Sequence, residues 1–149
     1  MKIEKAVKQE SFRNVYQKAT LNLLFTHSWL TDQLKSFFSE FDITPQQYNI
    51  LKILKGQHPK PITTSLIRDR MLDRSSDASR LVDRLYKKEL VNRTVCQKDK
   101  RLVDVTLSDK GLKLVALVDG QSEKLDGYLS QLTPIEAKEI SDLLDKIRG

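Results

Sequence analysis

The hydrophobic period changes once between Met71 and Leu107, and that change limits the folds open to the chain. Ala78, Leu81, Val82, Leu85 and Tyr86 recur at helical spacing, so an amphipathic helix follows a tight connection at Asp73-Arg74 and runs to about Lys88. Two alternating runs come next, Val91 to Gln97 and Leu102 to Leu107. The four polar residues between them, Lys98-Asp99-Lys100-Arg101, predict a hairpin with a charged tip. A shorter apolar stripe, Leu66, Ile67, Met71 and Leu72, precedes the amphipathic helix and can be capped by Thr63 or Thr64. Short helix, tight turn, second helix and two-stranded ribbon form the order of a winged helix-turn-helix. The expected fold is mainly α with a small β-hairpin wing.

The flanks read as helices. From about Glu4 to Phe41, apolar residues including Phe12, Val15, Leu23, Leu30, Leu34 and Phe37 keep a three- and four-residue beat. That length exceeds an average globular helix, which packing between subunits or a break near Thr26 to Ser28 would explain. Thr44-Pro45-Gln46-Gln47 predicts a helix start with a capping box, and Gly56 followed by Pro59 and Pro61 predicts its end. A short extended segment is expected around Ile62. Ser108 can cap a further helix through Leu112, Val115 and Val118, and Thr133-Pro134-Ile135-Glu136 opens a last one. The chain is read as a single domain over 1–149, with a winged lobe at 44–108 between helical flanks at 4–41 and 109–148.

Charge narrows the partner. Lys and Arg outnumber Asp and Glu by 26 to 20, and the excess is confined to residues 1–110, while 111–149 is net acidic. A polyanion would therefore meet the first two thirds of the chain. The single cysteine excludes an internal disulfide framework and fits a reducing, cytoplasmic setting. No apolar run approaches the roughly 18 residues of a membrane helix, and no secretory signal is expected. An enzyme is disfavoured: the five glycines are scattered, no nucleophile–base arrangement can be nominated, and the carboxylates sit mostly beside bases. No cofactor or metal is expected, since His27 and His58 belong to no ligand cluster.

Ser75, Ser76, Ser79, Arg80 and Arg84 fall largely outside the apolar stripe, with Arg74 in the connection before them. A solvated helix face would explain them, but their position in the second helix of a helix-turn-helix favours DNA readout. Short hydroxyl side chains permit close approach to base edges, and Arg reaches guanine or phosphate. Asp77 would repel phosphate unless it accepts from a cytosine amino group or is held by Arg74, Arg80 or the helix N-terminus. In the hairpin tip, Lys98 and Lys100 suit the backbone and Arg101 a narrow minor groove, with Asp99 orienting the arginine.

The run from Ile62 to Leu114 resembles the DNA-binding core of the multiple antibiotic resistance regulator (MarR) family. The resemblance is carried by Ser79-Arg80-Leu81-Val82-Asp83-Arg84-Leu85, Lys87-Lys88-Glu89-Leu90-Val91, the wing signature Asp99-Lys100-Arg101, and Val105-Thr106-Leu107-Ser108-Asp109-Lys110-Gly111. Glu89 departs from it where the family often has Gly at the helix end. The resemblance implies a homodimer, with the flanks at 4–41 and 109–148 as its helical dimerisation region. It also implies binding to a pseudo-palindromic double-stranded operator, repression, and release by a small aromatic or phenolic effector. His27, Trp29 and Tyr48 offer aromatic surface with polar handles for such a ligand, although core or subunit interface is the favoured reading of each. Cys96, expected in the first wing strand, is read as a small packing residue, because no second cysteine could resolve its oxidation. A winged-helix module that binds protein and never touches DNA is the competing reading.

Overall fold

The computed structural model describes residues 1–149. Its elements run α1 (Ile3–Ala6), α2 (Val15–Ser39), α3 (Pro45–Gln57), β1 (Ile62–Thr63), α4 (Thr64–Arg70), α5 (Ala78–Lys87), β2 (Val91–Val95), β3 (Val103–Leu107), α6 (Asp109–Asp119), α7 (Ser122–Gly127) and α8 (Pro134–Arg148). This is a mainly helical chain around one small antiparallel sheet of order β1-β3-β2. Val91 pairs with Leu107, Arg93 with Val105 and Val95 with Val103, while Ile62 takes the other edge of Val105. The two-residue β1 thus closes the far edge of the hairpin and anchors the start of α4.

The core gathers one apolar stripe from each surrounding element. Ile50, Leu51 and Leu54 of α3, Ile67 of α4, Val82 and Leu85 of α5, Val91 and Val105 of the sheet, and Val115 and Val118 of α6 are all buried together. Burial of each such side chain stabilises the lobe by roughly 1.5–3 kcal/mol before conformational entropy is counted. Both expected capping boxes form: Thr44 with Gln47, and Thr133 with Glu136, each with Pro in the first turn. Thr63, not Thr64, caps α4 by accepting from the Leu66 amide, and Ser108 caps α6 by accepting from Gly111.

Several boundaries differ from expectation, each for a local reason. The first long helix is two: α1 ends early, Lys8 takes a left-handed φ of 53°, and Asn14 restarts the chain by accepting from the Gln17 amide. Thereafter α2 runs unbroken through Thr26 to Ser28 for 25 residues, about 37 Å at 1.5 Å per residue. Helix α3 continues through Gly56 and stops at Gln57, before the prolines. The connection before α5 is longer than expected, so α5 starts at Ala78 and leaves Ser75 and Ser76 in the turn. Leu66, Leu72 and Tyr86, placed in apolar stripes by spacing, are exposed. The strands end at Val95 and begin at Val103, so Cys96 lies just past the first strand and is buried there.

Helix α5 ends in a Schellman motif built without glycine. The Leu90 N–H donates to Leu85 O at 3.0 Å and the Glu89 N–H to Tyr86 O at 2.9 Å, which forces Glu89 into the left-handed region at φ 61°. Leu85 and Leu90 are both buried, supplying the apolar contact that accompanies this cap. The next helix docks on the same joint. Ser108 Oγ donates to Glu89 O, Lys110 Nζ donates to Lys88 O, and Gly111 lies so near the Leu90 carbonyl that a Cβ would overlap it.

The α2 and α8 helices are the least covered. Helix α8 buries no residue, and Ile140, Leu143 and Ile147 stand in one exposed row. On α2, Leu23, Leu24, Phe25 and Trp29 are likewise exposed. No helix is long and apolar enough to cross a membrane.

Candidate nucleic-acid interface

The connection between α4 and α5 is fixed by short-range polar bonds before any side chain reaches outward. Asp73 Oδ1 accepts from the Ser75 N–H at 3.0 Å and the Ser75 hydroxyl at 2.6 Å. Those bonds from Ser75 hold the Asp73 carboxyl below the usual aspartate range. The Leu72 N–H donates to Asn49 Oδ1 at 2.9 Å, tying the turn to α3. Asp77 then caps α5 by accepting from the Arg80 N–H at 3.1 Å. Its negative charge is thereby committed to the positive end of the helix, one of the expected alternatives, and the side chain fixes the first turn of α5.

The start of α5 faces a cleft of about 330 Å³ shared with the start of α4 and the base of the wing. Ser76 and Ser79 line its α5 side, Thr64, Ser65 and Arg68 its α4 side, and Arg101 its wing side. Asp77, already committed as the cap of α5, lines it too, so the cleft combines hydroxyls and two guanidinium groups able to meet phosphates and base edges. Arg80 and Arg84 are exposed further along α5, and Arg74 is exposed in the turn. Ser75, by contrast, is occupied with Asp73.

The wing carries its own preorganisation. Arg101 Nε and Nη2 donate to the two carboxylate oxygens of Asp99 at 3.0 and 2.9 Å, and the Arg101 N–H adds a third bond at 3.0 Å. Those bonds lower the Asp99 carboxyl and raise the Arg101 guanidinium relative to their ordinary values. The arginine nonetheless stays 89% exposed, so it is aimed without being hidden. Lys98 and Lys100 flank it in solvent.

The sequence singles out neither Arg68 nor Ser65, and Thr64 reads there only as a possible cap. Thr64 and Ser65 read as ordinary helix-start residues, and Arg68 as one charge on a short helix. The available signal was the pair of hydroxyls opening the first helix of the helix-turn-helix. None of His27, Trp29 and Tyr48 lines the cleft between α4, α5 and the wing. His27 and Trp29 stand exposed on α2, whereas the Tyr48 ring packs on Phe38 at 4.6 Å. The Tyr48 hydroxyl donates to Asp119 at 2.5 Å, and Lys52 donates to the other oxygen of that carboxylate at 2.9 Å. Burial and the Asp119 carboxylate push the Tyr48 phenol up. Burial works to raise Asp119, but the hydrogen bonds from Tyr48 and Lys52 outweigh it and leave the carboxyl lowered.

Comparison with known proteins agrees with this geometry. The profile of the MarR family matches residues 43–103. The HTH-type transcriptional repressor MdtR of Bacillus subtilis is 33% identical over 106 residues, which span 70% of this chain and 67% of that one. The MarR transcription factor from Planctomyces limnophilus aligns over 93% of this chain and 98% of its own, at 33% identity and a TM-score of 0.65. MepR of S. aureus, solved as a DNA complex, aligns over 92% and 97% at 25% identity and a TM-score of 0.73.

Proposed function

Because this chain belongs to the MarR family of transcriptional regulators, we propose that it acts as a two-fold dimer that binds a pseudo-palindromic DNA operator and represses from it. The observation that carries the reading is the cleft between α4, α5 and the wing, lined by the hydroxyls of Thr64, Ser65, Ser76 and Ser79 and by Arg68 and Arg101. In this reading α5 enters the major groove and presents Ser79 and Arg80 to base edges, with Arg84 further along. Arg74, Ser75, Ser76 and Arg68 hold the turn and the neighbouring phosphates. Lys98, Lys100 and Arg101 carry the wing to the adjacent minor groove, and Asp99 holds Arg101 in place. Residues 44–108 form the DNA-binding lobe, and 4–41 with 109–148 form the dimerisation region. The unpartnered apolar rows of α2 and α8 support that division. Such a protein would work in the cytoplasm, in keeping with its one free thiol.

A small aromatic or phenolic effector would weaken operator binding. His27 and Trp29 could contribute to its pocket only if the second subunit closes over α2, because neither is enclosed within one chain. Any such ligand must prefer one dimer geometry, and tenfold weaker DNA binding requires about 1.4 kcal/mol of coupling.

The test is a titration of duplex DNA from beside the protein's own gene, against random duplex, across a salt series. Operator affinity should exceed random binding and fall linearly with salt on logarithmic axes. Arg80→Ala should cost about 1–3 kcal/mol on the operator and relax sequence preference, whereas Lys100→Ala should weaken all duplexes alike and lower the salt slope by about one. Equal binding to operator and random duplex at moderate salt would remove the reading.

A further inference from the structure

Arg93 sits where a strand facing a core ordinarily carries an apolar residue. Directly opposed residues of an antiparallel pair share one side of the sheet, and the partner of Arg93 is Val105, which is fully buried. The alkyl stem of Arg93 can cover that side. Its guanidinium goes elsewhere. Nη1 donates to Asp83 Oδ1 at 3.1 Å, and the guanidinium carbon lies 4.0 Å from the centre of the Tyr86 ring. Asp83 and Tyr86 are one turn apart on α5, so a single side chain of β2 grips α5 by a carboxylate and an aromatic face at once. Lys87 adds a second cation to Asp83 at 3.1 Å. This contact also accounts for Tyr86, which helical spacing assigns to the core but which stands 46% exposed with Arg93 against it.

We propose that Arg93, held between Asp83 and Tyr86, is a positioning residue that sets the angle between α5 and the wing, and through that angle the affinity for the operator. The inference rests on the DNA-binding reading above and assigns Arg93 no contact with DNA. Strand β2 is five residues long and α5 ten, so neither element is rigidly framed by length alone. Both must meet the duplex together, α5 in one groove and the wing in the next. A wing free to rock would still bind phosphate. It would no longer present Arg101 where the recognition helix requires it. An apolar side chain of similar length would keep the stem, and what it would lack is the grip on α5.

Two substitutions with opposite charge changes test this. Arg93→Met keeps the stem and removes a cation; Asp83→Asn keeps the shape and removes an anion. Both should weaken operator binding by about tenfold, leave random-duplex binding within about twofold, and leave the salt slope unchanged, with binding measured well below each variant's unfolding temperature. Simple charge effects predict opposite signs, since removing Asp83 makes the lobe more basic. Combining the two should lose little more than either alone, because both break one contact. Tyr86→Phe should bind as the unaltered protein does, and Arg93→Lys should not restore binding, because an ammonium cannot stack and fork as a guanidinium does. Operator affinity unchanged in Arg93→Met would overturn the inference, as would a salt slope lowered by about one, which would make Arg93 a phosphate ligand. Tighter operator binding by Asp83→Asn would overturn it too. If the unaltered protein itself fails to prefer its operator, the fault lies with the DNA-binding reading.

Discussion

Asp77 and Asp99 are carboxylates placed within a basic surface, and each is spent on geometry. Asp77 accepts from the first turn of α5, and Asp99 clasps the guanidinium of Arg101. Asp77→Ala should destabilise the fold by about 1 kcal/mol, read as a lowered unfolding midpoint in denaturant, although it removes a charge that opposes DNA. Asp77→Ser should recover most of that loss. For Asp99 the consequence is one of pH. Its carboxyl is lowered by the bonds from Arg101, so the ordering it gives the wing is complete above the ordinary aspartate range and is lost as pH falls through the lower value of the folded state. An NMR titration should therefore find the Arg101 amide unmoved while exposed aspartates protonate, shifting only at lower pH. Glu89 is the opposite case, a residue working against its backbone. A left-handed non-glycine costs roughly 1–2 kcal/mol, and glycine gives back part of that in unfolded-chain entropy. Glu89→Gly should thus raise stability by up to about 1 kcal/mol in the same assay, with operator binding unchanged.

Among the elements, the end of α5 and the start of α6 meet at close range around Gly111. Helix α6 meets the end of α5 through two side-chain bonds to backbone carbonyls, and Gly111 allows the close approach. Gly111→Ala would push α6 off Leu90 and should cost about 1–3 kcal/mol, measured by denaturant unfolding. What was legible in the sequence follows from range. Caps at Thr44, Thr63, Ser108 and Thr133 are written within four residues and were readable there. So was the helix, turn, helix and hairpin order, because each element announces its own period. The break at Val7 to Asn14 is marked only by the polar run Lys8 to Ser11 and by the Asn14 cap, signals that an exposed turn of a continuous helix would also carry. Ser75 and Ser76 were misplaced onto the helix because Asp73, another turn-forming acid, stood ahead of the true cap at Asp77. Period puts Tyr86 on the wrong side and is silent on Arg68, since the first is decided by Arg93 on a different element and the second by a cleft that three segments build.

At the scale of the whole molecule, one lobe is well filled and the remaining helices are not. The apolar rows of α2 and α8 have no counterpart within the chain, and a second copy with its own rows is the occupant the proposed dimer supplies. Leu143→Glu should convert the dimer to monomer in sedimentation and abolish operator binding, while leaving the recognition helix and wing untouched. The unaltered protein should show a melting temperature that rises with concentration, which a self-sufficient monomer would not. Helix α8, fifteen residues with none buried, sharpens this point. An isolated helix of that length is marginal in water, so its order depends on what it packs against. In the proposed dimer a newly made subunit would stay partly unfinished until it met another, open meanwhile to proteases. Loss is first order in unpaired chains and rescue is second order. The standing number of functional dimers should therefore climb more steeply than the rate of synthesis at low expression, a threshold that no feature of the operator supplies.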